Sequence, residues 1–258
     1  MVDHADADLS GSTFEGVDLS RARIHRTYLT EARFEAVDLT GATFRAVDLV
    51  NVEITGDIVN VHINGVEVGP YIEAELDRRH PGRERMRPID PDGFRAAWEL
   101  LEQLWSETIE RARRLPEASL HERVNGEWSF IETLRHLAFA TDSWILRVIL
   151  GEPSPWHPLD LPHDEMSDNP HVPRDHAARP SLDEVLALRA DRVETVRRLL
   201  AGITDSALGE MTTPVAEPGY PASESYPVAH VLRVIINEEW QHRLYAERDL
   251  DELGLVDQ

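Results

Sequence analysis

Two ionisable residues stand where a packed helix should be apolar. Between Pro227 and Asp249 the apolar positions Val228, Val231, Ile235 and Tyr245 recur at steps built from three and four, the core-facing stripe of a helix. Glu238 and His242 fill the two slots of that stripe between Ile235 and Tyr245. On a buried seam such groups cost on the order of several kcal/mol unless something neutralises them. A divalent metal would do so, because side chains four apart on a helix project from one face. The plainer reading is an i,i+4 ion pair on a half-exposed face. Glu239 is the rival carboxylate, but it falls on the face of Leu232, Ile236 and Arg243, so Glu238 is preferred.

Other helices must carry whatever completes this site. Residues 92–115 run Phe94, Trp98, Leu101, Trp105 and Ala112 at helical spacing, with Asp92 as expected N-cap and Pro116 as the stop. Residues 129–150 form a second helix, opened by a capping box of Ser129 and Glu132. Ser181 and Glu184 cap a third, with Val185, Leu188, Val196, Leu199 and Ile203 as its stripe. Two long connections, 151–180 and 204–226, join them, which points to a bundle that is not simple up-down-up-down. His136 lies on the second helix with Thr133, Ala140 and Ser143 on its face, and such small neighbours leave room for a site. Arg192 interrupts the third stripe, where it either meets an anionic substrate or pairs with a helix carboxylate. His157, His163, His171 and His176 crowd the first connection, as solvated loop residues or as an extension of the site.

The motifs "NGEWSFIETLRHL" and "NEEWQHRLYAERDL" resemble the DinB-like superfamily, near its mycothiol-dependent maleylpyruvate isomerase branch. The resemblance spans roughly residues 92–250. It implies an all-α four-helix bundle with a divalent metal at one end, held by a histidine of the second helix and a His-x-x-x-His pair of the last. By that pattern His136, Glu238 and His242 are the metal ligands, with Glu238 standing where the family usually has histidine. A carboxylate serves zinc, and equally nickel, iron or manganese; zinc is the first expectation. The family's known activities imply a thiol-dependent transferase or isomerase, or a hydrolase.

The first part of the chain is organised differently. Leu9, Phe14, Leu19, Ile24, Leu29, Phe34, Leu39, Phe44, Leu49 and Ile54 are spaced five apart, each two residues after a small or slender one. A fixed period implies repeat architecture. "ADLSG", "VDLSR", "VDLTG" and "VDLVN" resemble pentapeptide repeats, which implies a short right-handed quadrilateral β-helix with the central Leu or Phe filling its interior. Residues 1–69 are assigned to this β-helix, 70–91 to a short helix and linker, 92–250 to the bundle and 251–258 to a tail. Asn64-Gly65 reads as a tight hairpin turn. Some pentapeptide-repeat proteins mimic DNA and bind topoisomerases, so a non-enzymatic docking module is the alternative to the enzyme. Residues 1–69 carry 12 acids against 5 arginines, a face too interrupted to imitate DNA uniformly.

The net charge of −22 repels nucleic-acid phosphates and anionic membranes. No apolar run reaches the roughly 18 residues of a membrane span, and no signal peptide is visible. Cysteine is absent, which excludes disulfides, thiolate metal sites and a cysteine nucleophile and fits a cytoplasmic protein. The expected partners are therefore a small-molecule substrate or thiol, with neither nucleic acid nor membrane; a homodimer is compatible with the pattern.

Overall fold

The computed structural model describes residue 4 and residues 7–56 and 58–256; the last two residues of the expected tail lie outside the described ones. The chain forms two compact units, Met1–Asp57 and Ile58–Gln258. Among the described residues no helix is long and apolar enough to cross a membrane.

In the first unit the repeat is written into the backbone, with a hydrogen-bonded turn at every second pentapeptide. The amides of Ser12, Ala22, Ala32 and Ala42 donate to the carbonyls of Leu9, Leu19, Leu29 and Leu39 at 3.1, 2.9, 3.1 and 2.9 Å. Between them Gly11, Arg21, Glu31 and Gly41 take φ of 73°, 62°, 62° and 73°, the left-handed position that closes a tight turn. The recurring aspartate has a local job: the carboxylates of Asp8, Asp18 and Asp38 accept from the amides of Ser10, Ser20 and Thr40 at 3.0, 2.8 and 2.8 Å, as Asx turns do. The interior packing expected of a β-helix is not what this unit shows. Its central side chains stay uncovered, from 44% exposed at Leu9 to 68% at Ile54. Among the described residues its backbone bonds are the short turn closures. Central side chains of a repeat are buried only where neighbouring repeats close over them, and here they are left exposed.

The second unit opens with the hairpin, β1 (His62–Ile63) and β2 (Val66–Glu67), paired antiparallel. Asn64 and Gly65 turn it with φ of 50° and 82°, as a two-residue hairpin requires. The hairpin thus belongs with the helices, although the repeats were expected to extend to residue 69. Helix α1 (Gly69–Arg79) follows. The charged stretch after it, expected as linker, is folded: Arg83 reaches Glu73 and Asp77 at 2.7 and 2.8 Å, and Arg87 reaches Asp77 at 2.5 Å.

Helix α2 (Pro91–Ala112) is capped by Asp90, whose carboxylate accepts from Gly93 N at 2.7 Å. Asp92 sits inside the first turn instead, because Pro91 takes the first helical position, where a missing N–H costs nothing. Helix α3 (Phe130–Thr141) runs on as a π-helical segment, Asp142–Ile149. Both halves of the expected capping box form: Glu132 N donates to Ser129 Oγ at 3.3 Å and Ser129 N to Glu132 Oε2 at 2.9 Å. Helix α4 (Leu182–Gly202) starts with the same box from Ser181 and Glu184. A short α5 (Asp205–Leu208) precedes α6 (Val228–Val256), which continues through most of the expected tail.

Helices α2 and α3 each pack against both α4 and α6. One apolar cluster joins Phe94, Trp98 and Leu101 to Val196, Leu200, Leu232, Ile236 and Trp240; a second joins Trp105, Leu134, Leu137, Val185 and Leu250. Each large side chain so buried contributes roughly 1.5–3 kcal/mol. All twelve residues of α3 are buried, so the helix that carries His136 is enclosed by the others.

Candidate metal centre

The site lies where α3 and α6 face each other. His136 projects from enclosed α3 and is 5% exposed; Glu238 and His242, one turn apart on α6, are half-buried. One ligand-type atom from each of the three residues lies within 4.8 Å of the others. Glu238 Oε2 stands 3.2 Å from His136 Nε2 and 3.1 Å from His242 Nε2. The sequence-predicted trio therefore converges. Among the described residues it forms the group of histidines and carboxylates able to hold an ion.

The choice between the two glutamates is made by their partners. Both faces of α6 are packed: Leu232, Ile236 and Glu239 are as buried as Val231 and Ile235, so the seam expected on one side is broader than its stripe. Glu239 is neutralised by Arg189, which donates to its carboxylate at 2.8 Å and lies over the Trp105 ring at 5.2 Å. Among the described residues Glu238 is paired only with the two imidazoles. Burial opposes its charge, yet His136 and His242 hold its carboxyl far below the usual carboxylate range.

The fit of this trio to a cation follows from its donor set. His136 Nδ1 lies 3.0 Å from the carbonyl oxygen of Leu161, an acceptor, so Nδ1 carries the ring proton. The lone pair of Nε2 then points at a carboxylate oxygen 3.2 Å away, and two acceptors face each other. Either a second proton or a metal ion must sit between them. Burial disfavours a charge on His136, while the Glu238 carboxylate beside it favours one. A neutral imidazole whose other nitrogen is fixed by a backbone carbonyl is what a metal ligand requires.

The connection between α3 and α4 supplies that carbonyl and is strapped down around it. Fully buried Arg135 donates to Leu159 O and Asp175 O, both at 2.7 Å, and Leu161 N donates back to Arg135 O. Between those points Asp160 is buried beside Asp142, and Asp160 Oδ2 accepts from His157 N at 3.0 Å. Burial first, and then the Asp142 charge, raise Asp160 to a pKa of about 9. Arg192 completes this cluster with two bonds to the Asp142 carboxylate at 2.8 Å. The expected ion pair with a helix carboxylate is thus formed, and Arg192 stands engaged by it. Of the loop histidines, His157 Nδ1 accepts from Leu159 N at 3.1 Å and His163 meets Tyr220. His171 and His176 are exposed. None joins the ligand group.

Aromatic rings line the trio. Trp128 contacts His136 at 4.6 Å and stacks on His242 at 5.9 Å, and its indole N–H donates to Asp164 at 3.1 Å. Phe139 and Tyr245 flank the two histidines, each 5.9 Å away. The strap residues Arg135, Asp160 and Leu161 are not recoverable from sequence patterns, since three of their partners are backbone carbonyls and carry no side-chain signature.

Comparison with known families agrees with the two-part organisation. A model of pentapeptide repeats (9 copies) matches residues 7–53, and a model of the DinB superfamily matches residues 100–246. A search of curated proteins returns no match. The second family match covers more than half of the chain and includes His136, Glu238 and His242; the protein belongs to the DinB superfamily.

Proposed function

We propose that the helical unit is a divalent-metal-dependent enzyme, a four-helix bundle of α2, α3, α4 and α6 whose ligands are His136, Glu238 and His242. The observation that carries this reading is the meeting of His136 Nε2 and the Glu238 carboxylate at 3.2 Å in a buried setting. A three-residue donor set leaves coordination positions for water or substrate, the catalytic pattern and not the closed structural one. When bound, the metal supplies Lewis acidity to a substrate carbonyl or a low pKa to a coordinated thiol. The chain's own residues do the rest. Leu161 O fixes the His136 tautomer, Trp128 holds both imidazoles in place, and the surrounding rings lower the local dielectric and limit water. With neutral histidines and one carboxylate, zinc is the first candidate, followed by nickel, iron and manganese.

The reaction class we infer is group transfer or isomerisation using a low-molecular-weight thiol. Its test is a metal-loaded protein supplied with mycothiol, glutathione or cysteine and an unsaturated or halogenated electrophile. Metal-dependent loss of free thiol above the uncatalysed rate is expected. Equal rates with and without protein for every thiol would remove the thiol from this reading.

A second reading concerns the repeat unit, whose uncovered Leu and Phe side chains favour a docking role toward a macromolecular partner such as a topoisomerase. Inhibition of gyrase supercoiling by the purified chain is its direct assay, and undisturbed supercoiling at excess protein contradicts it.

A further inference from the structure

Arg135 and His136 are consecutive residues of α3, and both reach the same short stretch of the connection to α4. Arg135 Nε donates to Leu159 O and its Nη2 to Asp175 O, both at 2.7 Å. Two residues after Leu159, the Leu161 carbonyl takes the bond from His136 Nδ1 at 3.0 Å. The Leu161 amide turns back to the Arg135 carbonyl at 3.4 Å. Pro162 follows Leu161, and both are buried; a residue before proline is kept out of the helical region. The stretch that offers its carbonyl to His136 is thus biased toward an extended backbone by sequence and tied down by the residue next to the ligand.

Arginine is a demanding choice for such a tie. Arg135 is fully buried, yet among the described residues its side chain bonds only to backbone carbonyls, and Nη1 is buried with no partner. Arg189 and Arg192, by contrast, meet carboxylates at 2.8 Å. A buried guanidinium without a carboxylate carries its desolvation cost uncompensated, and an apolar side chain of that size would stabilise a core better. Its two carbonyl bonds therefore answer to something other than packing.

What they secure is the state of His136. A neutral imidazole freed from Leu161 O has a second choice, a proton on Nε2 given to Glu238 Oε2, 3.2 Å away. That arrangement closes the nitrogen a metal would take. With Leu161 O held in place, the ring proton stays on Nδ1 and Nε2 keeps its lone pair. We propose that Arg135 is a positioning residue of the metal centre, one that clamps the connection at Leu159 and Asp175 so that the Leu161 carbonyl keeps the His136 ring ready for a divalent ion. By linkage the clamp works in both directions, and a metal bound at His136 holds the connection more firmly against α3. The inference rests on the metal-site reading above.

Its test compares two buried arginines that strap the same connection. Arg147 donates to Pro153 O at 2.7 Å and lies over the Trp156 ring at 5.4 Å, and among the described residues it has no bond to residues 159–161 or 175. Zinc affinity of the full chain is measured by competition with a chromophoric chelator. NMR of the zinc-loaded chain with isotope-labelled histidine follows the Nδ1 proton of His136. Arg135→Met, which keeps the length and removes every donor, is expected to bind zinc about tenfold more weakly, as loss of a ligand's outer partner does, and to open the Nδ1 proton to exchange with water. Arg135→Lys keeps the charge but not the planar fork that spans two carbonyls, and its affinity is expected to fall between the two. Arg147→Met is expected to lower the thermal midpoint with zinc affinity and the Nδ1 proton unchanged. Unaltered zinc affinity in Arg135→Met, or an equal loss in Arg147→Met, overturns the positioning role and leaves the metal site standing. Should Arg135→Met not fold, Arg135→Lys decides: weaker zinc binding with faster Nδ1 exchange supports the role, and the affinity of the unaltered chain overturns it. An unaltered chain that takes up no zinc overturns the site, and this inference with it.

Discussion

At the scale of single residues, the site turns on which acids are neutralised by protein and which are not. Glu238 and Glu239 are adjacent, and the more buried of the two is the one already paired. Glu239→Gln should leave metal uptake intact and destabilise the fold by about 3–5 kcal/mol, since it strands the buried Arg189 charge; Glu238→Gln should do the reverse, losing metal with little change in the denaturant midpoint. Matched urea melts and metal analyses of the two variants decide between them. The pair Asp142 and Asp160 makes a second test. Asp160 is raised from 3.8 to about 9 in the folded protein, so folding retains a proton that the unfolded chain releases. Its contribution to stability is complete below about pH 4 and is lost as pH rises toward 9. Asp160→Asn, which keeps the neutral form, should flatten that decline in unfolding free energy between pH 4 and 9; an unaltered slope would place the proton elsewhere. Glu238 and His242 were legible in the sequence because charge on an apolar stripe is conspicuous. Asp160 was not, because it stands in a connection where acids are ordinary.

At the scale of elements, the site needs α3 held in one position and one rotation against α6. The capping boxes at Ser129 and Ser181 announce where α3 and α4 begin, and both were readable from residues three apart. Ser129→Ala removes one half of the first box and should cost about 1 kcal/mol, seen as a lower thermal midpoint with metal stoichiometry retained. A midpoint equal to that of the unaltered chain would mean that Glu132, also paired to Arg123 at 2.8 Å, secures the terminus alone. The connections are a different matter. Arg135 and Arg147 strap them to the helices through bonds to Leu159, Asp175, Pro153 and Glu217 carbonyls. A backbone carbonyl belongs to every residue, so no sequence pattern marks which one an arginine will choose. The start of α2 shows the same limit on a small scale: Asp90 and Asp92 are both capable caps, and the position of Pro91 decides.

At the scale of the whole molecule, the chain divides into a repeat unit and a helical unit, Met1–Asp57 and Ile58–Gln258. The five-residue period disclosed the first and the helical stripes disclosed the second. What the period could not disclose is how far the repeats bury their apolar row, because that depends on how successive repeats pack and not on the repeat itself. Since His136, Glu238 and His242 and every strap described here lie in the second unit, residues 58–258 expressed alone should fold cooperatively and bind metal with the stoichiometry of the full chain; loss of binding on removing the repeats would show that they complete the site. The central claim is that these three side chains hold one divalent metal through two imidazoles and one carboxylate. Its most direct measurement is X-ray absorption at the zinc edge of the full chain loaded with one equivalent of zinc and desalted. The account predicts a first shell of nitrogen and oxygen scatterers at about 2.0–2.2 Å, with the outer-shell signature of two imidazoles and one carboxylate. Zinc lost on desalting, or a first shell unchanged in Glu238→Gln, would contradict it.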